Sequence, residues 1–135
     1  MNKKMGIIGV IILFITSFGA YAYMNQPVAT IEENAAAVEI STTYNIPVTI
    51  KDLGTDSNGY TVMGQTVYNT VTGQVVAVYL DDSVDPTSYQ AYAILYHEEG
   101  HIVHILDGTT NTELTADQYA ASRGYNITDA YEGVH

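Results

Sequence analysis

Cysteine is absent from the 135 residues, and positive charge is scarce: four Lys and Arg stand against 15 Asp and Glu, a formal net charge of -11. Without thiols there is no disulfide framework, no thiolate metal site and no thiol nucleophile, so any metal must be held by His, Asp and Glu. Two of the four basic residues, Lys3 and Lys4, precede the N-terminal apolar run, which leaves Lys51 and Arg123 for the rest of the chain. Neutralising phosphates takes clustered Lys and Arg, so a nucleic-acid partner is excluded. The length allows one domain of about 110 residues after the N-terminal segment and excludes a second large domain. Internal repeats and low-complexity tracts are also missing.

What is present begins with a targeting pattern. Basic Lys3 and Lys4, the apolar run Gly6 to Ile15 and the ending Ala20-Tyr21-Ala22 have the three parts of a secretory signal. Extended through Tyr23 the same stretch is long enough to span a bilayer as an anchor, with Lys3 and Lys4 on the cytoplasmic side. Residues 1–25 are therefore expected to be a signal peptide or N-terminal membrane anchor, and residues 26–135 a domain that is membrane-anchored outside the cytoplasm or secreted.

The domain reads as α+β. Ala29 to Thr43 has helical spacing and ends at Asn45-Ile46-Pro47, because proline disfavours helical geometry in the residue before it. Val48 to Lys51 alternates as a strand, and Tyr60 to Tyr68 with Val75 to Leu80 form a hairpin in which Gly73 supplies a positive φ. Asp85 and Pro86 suit the N-cap and first position of a helix running from about Thr87 to Leu106. That helix is apolar on most of its circumference, hence central and buried, and Gly108 ends it. Asn111 or Thr112 caps a last helix that stops at Gly124. Asp81, Asp82 and Asp85 read as a cap with solvated neighbours, since no EF-hand spacing accompanies them.

The central helix carries His97-Glu98-Glu99-Gly100-His101, an H-E-x-x-H motif. Residues four apart share a helical face, so both imidazoles can reach one metal ion, with Glu98 offset toward its bound water. Zinc held this way makes water acidic enough to react near neutral pH, and Glu98 is placed to act as general base. A catalytic zinc needs a third protein ligand, for which there are two candidates. Asp107 follows His101 by six residues, but His104 stands where a sharp turn would want glycine. Glu113 shares a helical face with Ala116, Asp117 and Ala120, which lets its carboxylate point at the metal while the alanines permit close helix approach. Turn geometry favours Glu113, with Asp107 as the alternative. Asp117, one turn on, can accept a proton from a ligating imidazole. His104 is either a helper near the ligands or a hydrogen-bonded structural residue.

His97-Glu98-Glu99-Gly100-His101 followed by Glu113-Leu114-Thr115-Ala116-Asp117-Gln118-Tyr119-Ala120 resembles the gluzincin signature, H-E-x-x-H with a later E-x-x-A-D-x-x-A, as in compact gluzincins and ImmA/IrrE-like peptidases. The resemblance is specific over Tyr96 to Ala121. It implies a zincin-like fold with an N-terminal helix, a small three-stranded antiparallel or mixed sheet, an active-site helix and a glutamate helix. It also implies one zinc ion on His97, His101 and Glu113, Glu98 as catalytic base, and hydrolysis of a peptide or protein substrate. An extended substrate is then expected to pair with the edge of the strand Val75 to Leu80. The competing expectation is a non-catalytic extracytoplasmic binding or structural protein, with or without a structural zinc.

Overall fold

The computed structural model describes residues 11–15, 31–57 and 59–126. In chain order the elements are β1 (Ile11–Ile15), α1 (Ala35–Tyr44), β2 (Val48–Lys51), β3 (Gly64–Asn69), β4 (Val75–Asp81), α2 (Tyr89–Asp107) and α3 (Glu113–Ser122). The chain is α+β, and β2, β3 and β4 make the small mixed sheet expected of it. Strand β4 runs antiparallel to β3 and parallel to β2, and β1 adds in parallel along the far side of β3, giving the order β1-β3-β4-β2.

This order corrects the expected substrate edge. Strand β4 is hydrogen-bonded on both sides and all seven of its residues are buried, so nothing can pair with it from outside. The parallel β2–β4 ladder arises because the chain leaves β2 by the loop 52–63, runs back along β3 and returns through the β3–β4 hairpin to lie between them, and such non-local pairing leaves no local mark on the sequence. Apart from Ile11–Ile15, the expected signal or anchor lies outside the described residues. Among the described residues no helix is long and apolar enough to cross a membrane.

Helices and sheet enclose one main core. Ile40, Val48, Val78, Leu80, Ile94, Leu95 and Ile102 are fully buried together, each contributing roughly 1.5–3 kcal/mol of burial. The opposite face of the sheet carries a smaller cluster of Val67, Val76, Ala77 and Tyr79. Alternation along β4 sends Val78 and Leu80 to one face and Ala77 and Tyr79 to the other. A bulge between Val67 and Tyr68 shifts that phase, so Val75 rejoins the helix side.

Two helix starts differ from expectation. Helix α1 begins only at Ala35, because the Asn34 side chain accepts the Ala37 N–H as N-cap and donates to the Pro86 carbonyl at 2.7 Å. Asn45 closes the helix in the left-handed conformation, φ 56°. Helix α2 is capped by Ser88 and not by Asp85. Asp85 instead accepts from the Thr87 N–H and hydroxyl while the Ser88 N–H bonds the Asp85 carbonyl, a turn with Pro86 at its second position. Nearby, buried Asp81 is spent on the loops, accepting from the Leu53 and Ser83 N–H groups. The far ends agree with the sequence: Gly108 stops α2 at φ 69°, and Thr112 caps α3 with a reciprocal Thr112–Thr115 capping box.

Candidate metal centre

Helix α3 folds back along the C-terminal half of α2 and brings Glu113 over the two imidazoles. Their approach is set at Gly100, where an added Cβ would lie 2.8 Å from Ala116 Cα and 2.9 Å from Tyr119 Cβ. Ala116 and Ala120 are fully buried in this seam.

The result is a convergent donor set. His97 Nε2 lies 3.2 Å from His101 Nε2 and 3.3 Å from Glu113 Oε1, and His101 Nε2 lies 3.9 Å from Glu113 Oε2. Donor atoms about 2.0–2.1 Å from a tetrahedral zinc stand about 3.3–3.4 Å from one another, so the two separations from His97 match that edge, and the third, to the other Glu113 oxygen, is longer at 3.9 Å. His97, His101 and Glu113 can therefore hold a metal ion. Both imidazoles are 1% exposed, while the Glu113 side chain is 54% exposed, so the group opens to solvent on one side.

Each imidazole is oriented by a bond at its other nitrogen. His97 Nδ1 is 2.7 Å from Asp117 Oδ1, and His101 Nδ1 is 2.7 Å from Asn111 Oδ1. An oxygen partner places the proton of the neutral imidazole on Nδ1, and in that form the Nε2 lone pair faces the shared centre. Burial alone would push His97 down, but its bonds to Asp117 and Glu113 outweigh that and carry it up to about 9. His101, with a neutral amide in place of a carboxylate, is held below its ordinary value by burial.

Glu98 is fully buried beside this group. Thr66 of β3 donates its hydroxyl to Glu98 Oε1 at 2.6 Å, whereas Oε2 has no hydrogen-bond partner among the described residues. Burial pushes Glu98 up to about 8, against the pull of His97 and the Thr66 bond. Room beside Oε2 exists because β3 starts with glycine: a Cβ on Gly64 would come within 2.9 Å of that oxygen and 2.6 Å of Ile94 Cγ2.

The structure thus brings together His97, Glu98, His101, Glu113 and Asp117 and separates the two other candidates. Asp107 is exposed at the end of α2 and outside the donor group. His104 bonds Thr109 Oγ1 at 2.8 Å, a structural contact at the helix terminus. Thr66 and Asn111 were not legible as site residues. Thr66 sits in a strand buried on both faces, where alternation singles out no position, and Asn111 reads from sequence only as a helix cap.

Compared with known proteins, the chain matches no protein-family model, no curated protein and no solved structure.

Proposed function

We propose that this chain is a zinc-dependent metallopeptidase, with His97, His101 and Glu113 as zinc ligands and Glu98 as general base. The observation that carries this reading is the half-satisfied carboxylate of Glu98 next to three donor groups converging within 3.2–3.9 Å of one another. Zinc bound there supplies a Lewis acid that polarises the scissile carbonyl and lowers the pKa of water.

The chain's own residues do the rest. Asp117 and Asn111 fix the imidazole tautomers so that both Nε2 atoms serve as ligands. Thr66 holds one oxygen of Glu98 and leaves Oε2 to take a proton from the attacking water, then return it to the leaving amine. Its elevated affinity for protons suits transfer in both directions near neutral pH, and a dication alongside favours the carboxylate form that begins the cycle.

A purely structural zinc has no use for a buried carboxylate with one oxygen left without a partner, which costs stability. We further propose that residues 1–25 carry the domain to or across a membrane, where it meets a peptide or protein substrate.

Metal analysis of the chain purified without added metal or a histidine tag tests this. About one zinc per chain is expected, lost in Glu113→Ala and kept in Asp107→Ala, with hydrolysis of a quenched peptide library by the zinc-loaded form. Absence of zinc, together with no thermal stabilisation on adding it, would refute the assignment.

A further inference from the structure

Strand β3 has two sides. One pairs with β4, and the other takes up Ile11–Ile15 in parallel, with Ile12 beside Thr66, Leu13 beside Val67 and Phe14 beside Tyr68. Thr66 is the residue whose hydroxyl holds Glu98. A strand on this side therefore passes next to the base, whereas the other edge of the sheet, at β2, is two strands away, about 10 Å further. The ladder uses only backbone groups, so this edge can receive any extended peptide in place of Ile11–Ile15.

The occupant has a second destiny written in its sequence. Ile11 to Ile15 is the centre of the apolar run expected to enter a membrane or to be cut away with a signal. The same five residues cannot span a bilayer and pair with β3 at once.

We propose that Ile11–Ile15 is an intramolecular cover on the peptide-binding edge of β3, closing the chain to extended peptides until the N-terminal segment is withdrawn into a membrane or removed. The part concerning peptide hydrolysis rests on the proposed peptidase activity; occupancy of the edge does not. On this account the chain is latent while it remains a soluble precursor and opens once its N-terminus has been delivered.

The absence of cysteine makes a direct test available. In the full chain carrying Glu98→Gln, so that no probe is cut, Phe14→Cys with Tyr68→Cys places two thiols on neighbouring strands about 4.8 Å apart, within the Cα separation a disulfide needs. Ile11→Cys with Tyr68→Cys is the out-of-register control. The probe is a labelled peptide with the sequence Val10 to Ile15 flanked by lysines, its binding read by fluorescence anisotropy. The in-register pair is expected to cross-link and the control not. The oxidised chain is expected to bind the probe at least about tenfold more weakly than the same chain reduced with a phosphine, since the competent fraction sets the apparent affinity. Ile12→Pro with Phe14→Pro, which removes backbone donors from β1, is expected to bind tightest.

Absence of the in-register disulfide, or equal probe affinity in the oxidised and reduced chains, would overturn the proposal. Zinc content and peptide hydrolysis, measured on chains retaining Glu98, separate the two readings. Lock-dependent binding without zinc or hydrolysis would support the cover and refute the peptidase.

Discussion

Glu98 and Glu99 are adjacent in sequence and nearly identical in burial, 0% and 3% exposed, yet they face different sides of α2 and meet different chemistry. Glu99 points toward α1, where the Tyr44 hydroxyl donates to it at 2.8 Å and Arg123 at 3.3 Å. Arg123 in turn grips both oxygens of Glu39 at 2.8 and 2.9 Å and lies over the Tyr96 ring at 4.4 Å. One of the two basic residues of the body is thus committed to joining α1, α2 and the end of α3. The Glu99 charge also helps push the Tyr44 hydroxyl well above its ordinary range, after burial itself. Glu98, facing β3 and α3, has one bond to Thr66 and an oxygen left over. A buried carboxylate with a partner on each oxygen fastens helices together; one left half-engaged costs stability, and in the function proposed above its free oxygen is the one that moves the proton.

The sharpest way to break this comparison is to neutralise each carboxylate in turn. Glu98→Gln is expected to lower kcat/KM for peptide hydrolysis by about 10²- to 10⁴-fold while zinc content stays near one per chain and Tm is unchanged or higher. Zinc analysis and a melt of the same sample check it.

The titration of the metal-stripped chain comes next. Glu98 is raised from 4.5 to about 8 and His97 from 6.5 to about 9. Both folded values exceed the unfolded ones, so the native state holds protons that the unfolded state releases, and stability falls as pH rises. The lowered His101 works in the opposite sense, but only below its unfolded value of 6.5. Unfolding in denaturant should therefore show stability declining from pH 6.5 to 8, with a shallower decline in Glu98→Gln. The zinc-loaded chain should gain stability over the same range, because zinc binds neutral imidazoles and releases protons. A flat profile in the stripped chain would contradict the buried setting assigned to Glu98.

Glu99→Ala should do the reverse of Glu98→Gln: a stability loss of about 2–3 kcal/mol, below the full value for a broken buried pair because Arg123 is 31% exposed, with hydrolysis per zinc-loaded folded molecule retained. Smallest are the orienting residues. Asp117→Ala and Asn111→Ala are each expected to weaken zinc binding by about 10- to 100-fold, measured by competition with a chelator.

The candidate metal ligands were readable because their relation is local. His97 and His101 are one helical turn apart, and Glu113 and Asp117 are one turn apart on a second helix, so period alone places each pair on a face. The capping signals at Gly108 and Thr112 were readable for the same reason. Less visible was whatever depends on pairing across the sheet. The position of β4 between β2 and β3, and of β1 beside β3, follows from strand order, which the apolar runs do not encode. Thr66 reaches Glu98 only through that order. Asp85-Pro86 misled because a turn and a helix start ask for the same two residues. Asn111 was hidden by its neighbour: Thr112 provides the cap, which frees the Asn111 side chain for His101.

The close seam at Gly100 bears on how such a site can vary. The two unspecified positions of H-E-x-x-H are not equally free in this fold, since Glu99 is held by a cation and Gly100 by the backbone of the opposing helix. A methyl group at residue 100 would meet Ala116 Cα at 2.8 Å, and relieving that contact means sliding or lifting α3, which carries Glu113 with it. Reach from Glu113 to the two imidazoles is thereby gauged by an apolar contact containing no donor atom. Sequence drift in the seam would move Glu113 relative to the two imidazoles before it changed any of the three donor residues.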